Sequence, residues 1–595
     1  MKKLSALVML AAQLMLLACS SPPKNEAQET QPALDSLLQQ YHEEHLKLFP
    51  IEATMAGDNR YNDLLPNNFS QAYRSELQKF FTHYRDQLTS YDRTKLSGED
   101  QVSYDILLWE CNIALEGLKF KDYLTPVNQF WSMHLLIGQL ASGSSLQPFK
   151  TVTDYDNWLK RLDAYVVMTD TAIANMKKGM ATGYVIPQVL AEKVVPQLSD
   201  LDHGPVKEHL FYNPVKMFPN DFSAEDKTRL TQAYEDVIQT KIIPIHKKLN
   251  DFLKKEYIPA CRATAGISAL PDGKEYYGYL IKLYTTTDKS ADEIFALGKS
   301  EVDRITKEME AVKEQVGFKG DLKAFFAHLR TKKELMPFTK PEQVLANFEA
   351  IHERMKPNLA KLFNKTPKTP FEIKRTEAFR EASASAEYNP GSQDGTRPGV
   401  FYVPIPDVKK YNMLSDEDLF LHEAIPGHHY QISLQQENTS LPAFRRILSY
   451  SSYAEGWALY TESLGKELGL YTDPYQYFGM LSAEMHRAIR LVVDAGIHTQ
   501  GWSREQAIKY SMDHEAETED GIISEIERYM AIPGQALSYK IGQLKIRELR
   551  THAEQELGDK FNIALFHDQV LDSGCMPLKV LEDKINHWIE EMKKP

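Results

Sequence analysis

The chain has 595 residues, of which 43% are hydrophobic and 25% charged, with a formal net charge of −13 at pH 7. That composition excludes a natively disordered chain and is ample for a large buried core. The acidic balance argues against nucleic acid as a partner, because phosphate binding needs a basic footprint.

The chain opens on a targeting pattern. Lys2-Lys3 precede an apolar run from Leu4 to Ala18, too short to span a bilayer comfortably. The run ends in Leu16-Leu17-Ala18-Cys19-Ser20, which looks like a bacterial lipobox with Cys19 as the acylated residue. Residues 1–19 are therefore expected to be a lipoprotein signal peptide, and the polar, Pro-containing residues 20–32 a flexible tether. Such a chain would be anchored to a membrane of the cell envelope. Ser20 after the Cys resembles sorting to the outer membrane, facing the periplasm. Cys111, Cys261 and Cys575 follow no zinc-motif spacing. An oxidising compartment would permit one disulfide among them, and unpaired thiols are the plainer reading.

Residues 33–595 show no linker, repeat or low-complexity block and read as one mainly α body, with room for two lobes around a cleft. Apolar residues at three- and four-residue spacing predict helices over Ala291–Val316, Gln343–Phe363 and Ile541–Leu557. Strands and helices do not alternate, which excludes a doubly wound sheet. One strand is predicted at Gly399–Pro404, after the turn-rich run Tyr388–Gly395.

The chemistry is expected at His422-Glu423-Ala424-Ile425-Pro426-Gly427-His428-His429. Zinc hydrolysis needs three protein ligands, an open position, and a carboxylate to take a proton from water. Glu423 is placed to be that general base. His-Glu pairs also occur at His42, His352 and His514, where a solvated helical face is the default reading. Only at His422 do Leu419-Phe420-Leu421 lead into the pair and two further histidines follow. On a straight helix His428 would lie about 240° around and about 9 Å along from His422, and His429 about 10.5 Å along. Neither reaches one zinc at about 2.0–2.1 Å unless the helix breaks. Pro426 and Gly427 supply the break. His428 is the favoured second ligand of a bulged helix and His429 its competitor. Glu455 and Glu462 share one face of the helix predicted around Trp457, so Glu455 would be the third ligand and Glu462 would support a ligand histidine.

These motifs, with Gly-Val-Phe-Tyr-Val, Ala-Glu-Gly-Trp-Ala-Leu-Tyr-Thr-Glu and Tyr-Met-Ala-Ile-Pro-Gly-Gln-Ala-Leu-Ser-Tyr-Lys, resemble the bacterial family called domain of unknown function eight-eight-five. That family is similar to gluzincin metallopeptidases such as thimet oligopeptidase and the carboxypeptidase Taq family. The resemblance implies a helical body with a deep cleft, zinc as cofactor, and a peptide or other small-molecule substrate. In the gluzincins a Glu follows the third-ligand Glu by seven residues, as Glu462 follows Glu455, and the motif ends in Gly-His, as at Gly427-His428. Two extra residues precede that His here. The strand holding Tyr402 resembles the edge strand along which such peptidases lay substrate. Gluzincins stabilise the oxyanion with a late Tyr or His, which implies Tyr529, His498 or Tyr539. Arg490, Asp494 and His498 fall four apart on one predicted helix and would form a polar face. Arg528 or Arg490 would hold a substrate carboxylate in a carboxypeptidase. The expectation is a zinc metallopeptidase. The rival readings are a zinc hydrolase of esters or non-peptide amides, and a lipid-anchored binding protein with a degenerate site.

Overall fold

The computed structural model describes residues 33–143, 145–377, 381, 384–392 and 397–594. The expected signal peptide and tether, with Cys19, lie outside the described residues. The helices used below, labelled in chain order, are α1 Leu34–Leu48, α2 Gly98–Gly117, α3 Val152–Thr182, α4 Gly273–Thr285, α5 Ala291–Gln315, α6 Pro341–Leu362, α7 Asp416–Glu423, α8 His428–Glu437, α9 Ser451–Glu462, α10 Pro474–His498, α11 Glu519–Ala531 and α12 Ser538–Leu557. The strands are β1 Phe371–Arg375, β2 Glu387–Asn389 and β3 Gly399–Val403.

The chain is mainly helical, and the boundaries follow local chemistry. Ser290 and Glu293 exchange hydrogen bonds across the start of α5, satisfying backbone donors that a helix leaves free. Pro341 opens α6, where its missing N–H costs nothing. The largest core cluster joins α1 and α2 to the body from Ala265 to Ile589. Two smaller clusters surround α3 and the helices up to Tyr257. No described helix is long and apolar enough to cross a membrane. Cys111, Cys261 and Cys575 are free thiols.

The sheet differs from the expectation of a lone edge strand. Its order is β1-β3-β2, with β3 parallel to β1 and antiparallel to β2. The strand holding Tyr402 is therefore central, and its backbone is taken on both sides: Tyr402 sits opposite Lys374 and Glu387. A substrate backbone cannot lie along it there. The start of the turn-rich run also turns out to be paired, since Tyr388 and Asn389 belong to β2.

Two glycines set the seam that carries Glu455. A Cβ on Gly456 of α9 would lie 2.5 Å from the Cα of Gly542 on α12, and one on Gly542 would lie 1.8 Å from the Ser452 carbonyl oxygen. The two backbones touch because neither glycine has a side chain.

Candidate metal centre

The expected bulge is a full break. Helix α7 ends at Glu423, a four-residue turn follows, and α8 starts at His428. Pro426 follows a cis peptide bond. The turn is held from α9, where the Trp457 indole N–H donates to the Pro426 carbonyl at 2.9 Å and the Thr461 hydroxyl donates to the Leu421 carbonyl at 2.9 Å. The chain doubles back so closely that a Cβ on Gly427 would fall 1.9 Å from the His422 carbonyl oxygen. Gly427 has a negative φ of −74°, so the requirement is for space and not for a left-handed backbone.

The break brings His422 and His428 together. Their rings cross at 88° with centroids 4.9 Å apart. Each Nε2 lies 3.5 Å from Glu455 Oε2. One ligand atom from each of these three residues lies within 4.8 Å of the other two. Tetrahedral zinc with bonds of about 2.0–2.1 Å sets its ligand atoms about 3.3–3.5 Å apart, so the donor set and spacing fit that metal. Burial alone would push His422 down, but the Glu455 and Glu462 carboxylates hold it well above the usual histidine range. Burial likewise raises Glu455, and the two histidines overcome it and hold Glu455 well below the usual carboxylate range. Two imidazoles and a carboxylate held this close call for a shared cation, whether protons or a metal.

Glu462 supports His422 from behind, accepting from Nδ1 at 2.7 Å. Behind Glu462 stands Asp418, whose pKa is raised well above the ordinary value by burial and then by the Glu462 charge. His428 has no such support: its Nδ1 is buried without a hydrogen-bond partner among the described residues. Glu423, next to His422, forms no hydrogen bond within the described residues. Burial raises its pKa, opposed by the charges of His422 and His428. Sequence reasoning missed Asp418 and Arg487. Arg487, on α10, adds a charge that favours ionised Glu423, and its Nε has no protein partner. Asp418 carried a sequence signal, since it stands four residues before His422.

His429 points away from this group. Its Nδ1 lies 2.9 Å from the Tyr388 hydroxyl, and its ring packs 4.9 Å from that of Phe371. Burial pushes its pKa down to about 4. It ties α8 to the sheet, and Gly399 makes the room: a Cβ there would meet the Tyr388 hydroxyl at 2.2 Å.

The late residues form a different arrangement from the one expected. His498 is fully buried, with Nδ1 accepting from the Ile267 N–H and Nε2 donating to the Tyr529 carbonyl, both at 3.0 Å. Burial lowers its pKa to about 3. Both nitrogens serve the backbone, so His498 is a structural tie and not an oxyanion donor. The Tyr529 hydroxyl donates to Glu525 at 2.7 Å and accepts from Arg490 Nε at 3.1 Å. Arg490 and Arg528 also bond Glu525, at 2.8 and 3.2 Å. Glu525 thus meets the two arginines that were expected to hold a substrate carboxylate. The Arg490 guanidinium lies 4.6 Å from the Tyr539 ring. Ser538, the residue before Tyr539, hydrogen-bonds Ser451, one turn ahead of Glu455.

Asp494 joins neither Arg490 nor His498. It accepts from the Tyr277 hydroxyl at 2.5 Å and from the Gly534 N–H. Burial raises its pKa to about 7, against these hydrogen bonds. The folded chain therefore holds this proton more tightly than the unfolded chain, whose Asp titrates near 3.9. Stability from this group is fully present below about pH 4 and is lost as pH rises through about 7. Asp494→Asn removes the slope. Its stability relative to wild type should rise by about 2–4 kcal/mol between pH 4.5 and pH 7.5 in chemical denaturation. A difference that does not change with pH would rule this out.

A large cavity, about 1290 Å³, is lined by Tyr41, Glu110, Gln431, Gln435, Arg446 and Ile532 among others. The three ligand residues and Glu423 are not in its wall.

Comparison with known proteins gives relatives of similar size. A candidate lipoprotein of Colwellia psychrerythraea superposes with a TM-score of 0.85 at 28% identity, covering 94% of this chain and 99% of that one. A candidate lipoprotein of unknown function from Shewanella oneidensis shares the fold, with a TM-score of 0.74 at 18% identity, covering 93% and 99%. No curated protein matches. The family described as "Bacterial protein of unknown function (DUF885)" matches residues 50–585. The chain belongs to that family.

Proposed function

We propose that the protein is a zinc-dependent hydrolase of peptide bonds, held in the cell envelope by a lipid on Cys19. The observation that carries the reading is the convergence of His422, His428 and Glu455 beside Glu423, a carboxylate with no other hydrogen-bonding duty. Zinc held by two histidines and a carboxylate supplies Lewis acidity, which acidifies water and polarises a carbonyl. His422, His428 and Glu455 would hold it. Glu462 fixes the His422 ring and its tautomer through Nδ1. Glu423 takes the proton of the attacking water on its carboxylate and returns it to the leaving amine. The resemblance of the sequence motifs to those of gluzincin peptidases favours peptides over other acyl substrates, and the likeness to the Colwellia psychrerythraea lipoprotein favours the anchored location.

The test is metal content together with turnover. Purified protein should hold about one zinc per chain and cleave members of a peptide library. Chelation should abolish cleavage and zinc should restore it. Metal-free protein that still cleaves would refute the zinc reading. Cleavage of an ester panel but of no peptide would refute the peptide reading.

A further inference from the structure

The face of α8 that carries His428 continues into the large cavity. Gln431, Ile432 and Gln435 stand three, four and seven residues after His428, on the same side of the helix, and all three line the cavity wall. The seven residues from His428 to Gln435 span about 10.5 Å at the helical rise. At the far end the Gln435 amide donates to the carbonyls of Arg445 and Leu448, at 2.8 and 2.9 Å, and so docks the short helix Ala443–Ile447 there. Arg446 on that helix lines the same cavity.

The other charged groups of the wall are engaged. Arg74 pairs with Asp122 at 2.9 Å, and Arg262 bonds the carbonyls of Val185 and Thr264. His45 pairs with Glu52 at 2.9 Å, and Glu110 accepts from the Tyr450 hydroxyl at 2.6 Å. Arg446 forms no hydrogen bond or ion pair among the described residues, and its buried Nε has no partner. Two more buried polar atoms without partners among the described residues belong to residues of α1 that line the same cavity: His42 Nδ1 and the hydroxyl of Tyr41, a residue only 2% exposed. The Arg446 charge reaches His42, and the Tyr41 ring packs 5.7 Å from that of Phe444. Three unpaired polar atoms in one wall leave it open to a ligand, and the Arg446 guanidinium favours an anionic one.

We infer that Arg446, with His42 and Tyr41, is a subsite for the carboxylate of a peptide whose scissile bond lies at the His422–His428–Glu455 group. An extended peptide covers about 3.3–3.6 Å per residue, so about three residues match the span of α8 from His428 to Gln435. The substrate class is then short peptides cut a few residues from a carboxylate, either a free C-terminus or an acidic side chain. The inference rests on the hydrolase reading for the position of the scissile bond, but the carboxylate contact is measurable without turnover.

The experiment uses zinc-loaded Glu423→Gln protein, which should bind without cleaving, and three N-terminally labelled peptides. One ends in a free carboxylate, one is its C-terminal amide, and one is the amide with Glu as last residue. Anisotropy should show the free acid binding about 10- to 100-fold tighter than the plain amide, as for a charge-assisted contact. Adding Arg446→Gln should reduce that ratio to less than about threefold, and Arg446→Lys should restore part of it. The third peptide separates the two sources: tight binding assigns the subsite to acidic side chains as well, weak binding to the C-terminus alone. An acid-to-amide ratio unchanged by Arg446→Gln overturns the subsite. If the preference depends on Arg446 but the wild-type chain cleaves none of the peptides, the subsite stands and the hydrolase reading fails. If peptides are cleaved with no carboxylate preference, the hydrolase reading stands and the subsite fails.

Discussion

Glu423→Gln is expected to lower peptide hydrolysis by about 10²- to 10⁴-fold while zinc content and folding stay as in wild type. The contrast between the two readouts follows from the position of Glu423. It is not one of the three converging ligand residues and it forms no hydrogen bond within the described residues, so the isosteric amide removes no structural contact. What the amide cannot do is accept a proton. The native carboxylate is poised for it, since burial raises its pKa while His422 and His428 keep that rise in check. Metal analysis beside initial rates checks the prediction. Full activity in this variant would transfer the base role elsewhere. Lost activity together with lost zinc would make Glu423 a structural part of the centre.

Gly427→Ala is expected to destabilise the fold by about 2–4 kcal/mol and to strip the metal. The added methyl carbon would meet the carbonyl oxygens of His422 at 1.9 Å and Leu421 at 2.3 Å. Both are backbone atoms, so relief requires the turn to move away from α7. The turn is also bonded to Trp457, α7 is held by Thr461, and the turn carries His428 into place. Gly278→Ala is the control. Gly278 lies inside α4 with open space where the Cβ would go, so alanine should stabilise by about 0.5–1 kcal/mol. Chemical denaturation and zinc stoichiometry report on both. A Gly427→Ala protein as stable and as zinc-rich as wild type would mean that the turn relaxes freely.

The metal group was legible because its signals are local. The misfit of the His422–His428 spacing with a regular helix, and the Pro-Gly pair that resolves it, lie within eight residues. Glu455 and Glu462 stand seven apart on one helical face, and the geometry gives them the two positions expected. Helix α5 was legible for the same reason, from periodicity and a capping pair. Most of the misreadings involve partners distant in sequence, although Arg528 and Tyr529 meet Glu525 within one helical turn. Nothing near Arg490 reveals that Glu525, 35 residues away, engages it. Nothing near His498 reveals that Ile267 donates to it from 231 residues away. Without those partners, buried polar residues on late helices look available for substrate. The sheet failed similarly. Phe371–Arg375 alternates apolar and polar residues, but the pairing that makes β3 central is set by the fold. Arg446 was overlooked because an arginine on a short helix is ordinary until its surroundings show that it lacks an acceptor.

The break between α7 and α8 has a thermodynamic consequence. The three residues proposed to bind the metal sit on three separate helices, yet the turn between the first two and the end of α7 are anchored by hydrogen bonds that involve no ligand atom. The ordering entropy of the centre is therefore spent when the chain folds and not when zinc arrives. Unlike a zinc finger, which is unfolded without its ion, this chain should reach its shape empty and gain from zinc only the mass-action increment set by concentration over dissociation constant. Loss of the ion in a zinc-poor envelope would then be reversible, leaving a folded, inactive protein ready to be reloaded.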